Sequence, residues 1–120
     1  MVGEPTSDTV VLRRHDGRVV EVRVVAASRG GTHLRSRWLC GVILDEVCLF
    51  NSEALGAVVS VDDLYRAATT RLLPGGQVWA ISSPFGPQGL LYTLWKKHYG
   101  KPGRVLVLWA GTRDLNPSFP

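Results

Sequence analysis

The apolar stretch Gly41-Val42-Ile43-Leu44 runs directly into two adjacent carboxylates, Asp45 and Glu46. A short run of large aliphatic side chains with no polar alternation is the pattern of a strand covered on both faces, as in a parallel sheet with helices packed over it. A second stretch, Val78-Trp79-Ala80-Ile81, ends in the same manner, in Ser82-Ser83 and the turn residues Pro84, Phe85 and Gly86. Neighbouring strands that both end in polar groups build a site at their carboxyl ends, where α/β sheets place their ligands.

With 120 residues, 45% hydrophobic and 20% charged, the chain has the composition of a globular protein and the length of one domain. No apolar run reaches the length needed to cross a bilayer. Met1 to Pro5 opens without the basic and apolar segments of a secretory signal, which leads to the expectation of a soluble intracellular protein with no membrane partner. The formal charge of +4 is unevenly placed: residues 71–120 hold Arg71, Lys96, Lys97, Lys101, Arg104 and Arg113 against Asp114 alone. Lys96, Lys97, Lys101 and Arg104 are near enough in sequence to meet a phosphate backbone, and Lys at a helix C-terminus also complements the helix dipole. Cys40 and Cys48 have no zinc-like spacing and are expected to be buried thiols; His15, His33 and His98 are scattered, so no all-protein metal site is expected.

Along the chain, residues 1–8 read as a flexible terminus and residues 9–120 as the folded part. Thr9-Val10-Val11-Leu12 and Val19 to Ala27, separated by Asp16-Gly17, predict a hairpin. Gly30-Gly31 within the polar stretch Ser28 to Ser36 marks a connection, a strand follows from Trp38 to Leu44, and Asn51-Ser52 breaks the apolar run after it. Ser60 is placed to cap a helix carrying Leu64, Ala67, Ala68, Arg71 and Leu72, stopped by Pro74-Gly75-Gly76. A strand is expected from Gln77 to Ile81. Leu90, Leu91, Leu94, Trp95 and His98 share one face of an amphipathic helix from Gln88 to Tyr99. Val105 to Ala110 is apolar throughout and predicts a last strand buried on both faces. The order strand, strand, helix, strand, helix, strand predicts a three-layer α/β arrangement.

Taken together, these stretches resemble the large terminase subunit of tailed bacteriophages, the ATPase that pumps DNA into a procapsid. The resemblance rests on Leu34-Arg35-Ser36-Arg37, on Val42-Ile43-Leu44-Asp45-Glu46, on Ile81 to Gly89 with Tyr92 beyond, and on Trp109-Ala110-Gly111-Thr112 followed by Asn116-Pro117. It covers roughly residues 20–120, and the Ser-Ser-Pro stretch with its spaced glycines is its most specific part. The resemblance implies a P-loop NTPase-like three-layer domain with a mostly parallel sheet. It implies that Asp45 is the Walker B aspartate, which holds Mg²⁺ between nucleotide phosphates, and that Glu46 is the base that orients and activates water. Successive residues of a strand point to opposite faces, so Glu46 must leave strand geometry for both carboxylates to serve one site.

Ser82 and Ser83 resemble the coupling motif that senses the γ-phosphate, with Ser83 where the family more often has Thr; the same hydroxyls also suit the cap of a turn at Pro84. Arg35 resembles the arginine of an Arg-Gly pair, with Ser36 in place of the glycine, and solvent exposure accounts for it equally. Thr112, Asn116 and Pro117 match the segment leading towards the nuclease, with a structural role. For the complete protein the resemblance implies ATP and Mg²⁺ as cofactors. It also implies double-stranded DNA, a small terminase subunit and a portal protein as partners, in the host cytoplasm.

No stretch reads G-x-x-x-x-G-K-[ST], the loop that cradles the β- and γ-phosphates. In the family that loop lies upstream and the nuclease downstream of these residues, and its strand separates the strand at Gln77 to Ile81 from the last one. The expectation is therefore the second half of an ATPase domain, lacking the phosphate-loop strand and inactive by itself. Two other readings use the same residues: a nonenzymatic DNA-binding or motor-assembly piece built on the Lys96 to Arg104 cluster, and part of a helicase-like ATPase.

Overall fold

A computed structural model describes residues 8–27, 32–50 and 60–118. The expectations for residues 1–7, the Gly30-Gly31 connection and the break at Asn51-Ser52 lie outside the described residues. Strands β1 (Thr9–Arg13) and β2 (Val19–Arg23) form an antiparallel pair in the register Thr9↔Arg23, Val11↔Glu21 and Arg13↔Val19. Asp16-Gly17 makes its turn: Gly17 has φ +84°, which a bare backbone adopts freely, and the Asp16 carboxylate accepts the Arg18 amide at 3.1 Å. An ion pair of 3.2 Å between Arg37 and Glu21 links this hairpin to the chain that follows. After it come a one-turn helix, α1 (Thr32–Arg35), and strand β3 (Leu39–Leu44).

A 3₁₀ turn at Val47–Leu49 follows β3, and helix α2 (Val61–Thr69) then leads to strand β4 (Leu72–Ala80). The Ser60 hydroxyl accepts the Asp63 amide at 3.3 Å, satisfying one of the donors that a helix start leaves free. Strands β3 and β4 are parallel, with Val42↔Val78, Ile43↔Trp79 and Leu44↔Ala80 side by side. The helix expected to reach Leu72 ends at Thr69, and the strand expected from Gln77 begins at Leu72. Pro74-Gly75-Gly76 is absorbed as an irregularity between the pairs Leu39↔Leu72 and Gly41↔Gln77, since a residue without an N–H is tolerated in a strand at a bulge or along an unpaired edge.

One face of this parallel pair is covered. Leu44, Val47, Val61, Leu64 and Leu90 form a buried cluster, with Val42, Val78 and Ala80 of the sheet and Leu91 and Leu94 packed against it. Helix α3 (Gly89–His98) therefore lies with α2 on the same side of the sheet. On the other side, the paired Ile43 and Trp79 are 70% and 57% exposed. The described residues make two layers rather than the three expected.

Two expectations need correction. Val105 to Ala110 is not a strand buried on both faces: it has no regular structure, and Leu106 and Leu108 are each 80% exposed. An apolar run becomes a strand only beside a strand that takes its backbone hydrogen bonds, and none is adjacent among the described residues. The two cysteines are not buried, since Cys40 is exposed and Cys48 half-buried. The chain closes with a one-turn helix, α4 (Thr112–Leu115), whose Asp114 carboxylate accepts the Gly111 amide at 2.8 Å. Among the described residues no helix is long and apolar enough to cross a membrane.

Candidate active site

The carboxyl ends of β3 and β4 lie side by side, held by the Ile81 amide on the Leu44 carbonyl at 2.9 Å and the Val47 amide on the Ile81 carbonyl at 3.3 Å. Asp45 is the first residue past β3. Its exposed carboxylate accepts the Glu46 amide at 3.0 Å through Oδ1, which leaves Oδ2 without a described partner. Glu46 has φ +52° and ψ +40°, the left-handed region that side-chain-bearing residues seldom enter. It thus leaves strand geometry immediately after Asp45, and its carbonyl starts the 3₁₀ turn by accepting the Leu49 amide at 2.9 Å.

This turn brings the Glu46 carboxylate to β4. Its Oε2 lies 3.5 Å from Ser82 Oγ, while the Cys48 amide donates to the same hydroxyl at 3.1 Å and the Ser83 carbonyl oxygen lies 3.1 Å from it. A hydroxyl has one proton, so the Ser82 hydroxyl donates either to the Ser83 carbonyl or to Glu46, and the shorter distance favours the carbonyl. Asp45, Glu46 and Ser82 are thereby gathered at one end of the parallel pair. Ser83 is exposed, and its own hydroxyl makes no hydrogen bond to a described residue. A cavity of about 160 Å³ adjoins the site, lined by Val47 and Cys48, by Phe85 of the following loop and by the first turn of α3.

No cluster of three or more His, Cys, Asp or Glu suited to a metal occurs among the described residues. The one carboxylate of Asp45 nevertheless fits a Mg²⁺ ion that arrives with phosphates, because that ion keeps several waters and needs only one or two protein oxygens. Arg35 is not at this site. It lines a groove with Asp63, Arg66 and Arg71 near the start of β3, where the Leu39 amide meets the Arg71 carbonyl, at the opposite end of the strand from Asp45. Lys96 and Lys97 occupy the last turn of α3, away from the cavity at its first turn.

Sequence reasoning missed the Cys48 amide, since a backbone donor leaves no trace in the side-chain pattern. It also missed the stacking of Tyr92, Trp95 and Tyr99 along α3, although their spacing of three and four residues is legible.

The described residues define a small mixed α/β protein, with one parallel and one antiparallel pair of strands and a polar site at the carboxyl end of the parallel pair. No protein family, curated protein or solved structure matches this chain.

Proposed function

We propose that this chain forms the second half of a P-loop NTPase-like motor domain of the large-terminase kind, in which ATP hydrolysis drives movement of double-stranded DNA. The observation that supports this reading above all is the left-handed turn at Glu46, which sets its carboxylate beside Ser82 while Asp45 remains at the tip of β3. A side-chain-bearing residue in that conformation costs about 1–3 kcal/mol, and such strain gathers where chemistry requires a particular geometry. The parallel pairing of the carboxylate strand with the hydroxyl strand is a second support.

In this reading the phosphate loop is supplied from outside these 120 residues, and Asp45 would hold Mg²⁺ arriving with the nucleotide. The ion would there supply charge neutralisation at the phosphates. Glu46 orients a water molecule and takes its proton. On taking a proton Glu46 gains an O–H donor that can reach the Ser82 oxygen 3.5 Å away, which leaves the Ser82 hydroxyl donating to the Ser83 carbonyl. Ser82 and Ser83 thus relay the state of Glu46 into the loop that leads to α3. A small terminase subunit and a portal protein are the partners this reading implies for the complete protein.

The test is Glu46→Gln in the complete protein. ATP turnover is expected to fall by about 10²–10⁴-fold with ATP binding retained, the range for removal of a positioned base. Hydrolysis at the unmodified rate would remove Glu46 from that role.

A further inference from the structure

Helix α3 has two faces. Leu90, Leu91 and Leu94 pack on the core with His98 half-buried beside them, whereas Trp95, expected on that face, is exposed; Tyr92, Trp95, Lys96 and Tyr99 recur at the spacing of three and four residues that lines up a second face. On that face the rings form a column. Tyr92 and Trp95 stack with centroids 6.0 Å apart and planes 24° apart, and Trp95 and Tyr99 follow at 5.9 Å and 30°. The column ends at Tyr99, which is 46% exposed and has no further described ring upon it. Lys96 sits on the same face, and the Lys101 amide bonds the His98 carbonyl at 3.0 Å, which holds Lys101 immediately past the end of the column. Arg104 follows in the same connection. None of these three cations makes an ion pair with a described residue, and Asp114 is the only acidic residue after position 70.

We propose that this face binds single-stranded DNA, with an unpaired base extending the ring column beyond Tyr99 and the adjoining phosphates meeting Lys96, Lys101 and Arg104. Aromatic platforms flanked by cations are how proteins hold single strands, since every unpaired base offers a flat face and every linkage a negative charge. A duplex keeps its bases stacked within itself and uses only the cations. Base stacking and phosphate contacts, the two interactions invoked, act on groups that both kinds of strand carry, so the deoxy strand is bound at least as tightly as the ribose one. The binding involves neither the carboxylates at β3 nor a nucleotide, and its outcome is independent of the ATPase reading.

The test is fluorescence titration of the 120-residue chain, at a concentration where sedimentation finds a monomer and far-UV circular dichroism finds helix, with a short oligo-dT strand, its annealed duplex and the matching RNA. The single DNA strand is expected to quench tryptophan emission and to bind more tightly than the duplex. Its affinity is expected to fall with salt, with a log–log slope of about 0.7 per phosphate contact. Trp95→Phe keeps a ring in the column and should retain binding while losing most of the quenching. Tyr99→Ala should weaken binding about tenfold, and Lys96→Ala should lower the salt slope by about 0.7 with far-UV circular dichroism unchanged. Equal or tighter binding of duplex, clearly tighter binding of RNA, or a Tyr99→Ala affinity equal to that of the unmodified chain would each overturn the proposal.

Discussion

Glu46 is the residue at which folding and chemistry pull in different directions. Its φ of +52° brings Cβ against the backbone, a crowding that glycine avoids. Replacing it by glycine relieves about 1–2 kcal/mol of that crowding and loses about 0.4–1 kcal/mol through a more flexible unfolded chain. Glu46→Gly is therefore expected to tighten the 3₁₀ turn by up to about 1.6 kcal/mol relative to Glu46→Ala, which removes the carboxylate but keeps Cβ. Hydrogen exchange at the Leu49 amide, bonded to the Glu46 carbonyl at 2.9 Å, reads this difference directly. Faster exchange in the glycine variant than in the alanine variant would show that the turn is not strained. The Asp-Glu pair was legible in the sequence because an apolar strand ran into it. The need for Glu46 to leave the strand was legible as a geometric condition. The Ser82 contact was not, because the distance between residues 36 apart depends on the register of β3 against β4, which neither strand encodes alone.

Among the elements, those with local signals were readable: the Asp16-Gly17 hairpin, the Ser60 cap and the apolar stripe of α3 each lie within a few residues of their cause. Pro74-Gly75-Gly76 misled, because the same residues that end a helix can also be taken up by a break in a ladder. Gly76 is where the break is packed most tightly. A Cβ there would lie 3.0 Å from the Leu73 carbonyl oxygen and 3.1 Å from that of Cys40. Both are backbone atoms, which cannot swing aside as a flexible side chain would. Gly76→Ala is expected to weaken the β3–β4 pairing by about 1–3 kcal/mol, the usual result of forcing an extra carbon into a packed place. The check is exchange at the Ile81 amide, which bonds Leu44 at the far end of the same ladder. Protection unchanged from the unmodified chain would mean that the bulge is free to widen.

At the scale of the whole molecule, the apolar surface left uncovered is what decides behaviour. Seven apolar side chains are buried among the described residues, whereas Ile43 and Trp79 on the open side of the sheet and Leu106, Leu108 and Trp109 beyond α3 are largely exposed. Among the described residues β4 pairs on one edge only, so its other edge presents backbone donors and acceptors with no strand partner there, beside that apolar face. A small core with an open edge has little to set against the conformational entropy of the chain, and exposed apolar groups are buried most readily against another molecule. The isolated 120-residue chain is therefore expected to melt over a broad range without a cooperative transition and to associate as its concentration rises. Amides from Val105 to Ala110 should exchange at nearly the rate of an unstructured peptide. Calorimetry, sedimentation at several concentrations and hydrogen exchange address the three expectations separately. A monomer that unfolds in one sharp step, with calorimetric and van't Hoff enthalpies equal, would mean that the chain covers its own sheet. The reading of these residues as part of a larger ATPase sheet would then fail, because that sheet requires a further strand along the open edge of β4. If association and rapid exchange are both found, the segment from Val105 to Ala110 should gain protection in the complete protein, where such a strand would supply the neighbour it lacks.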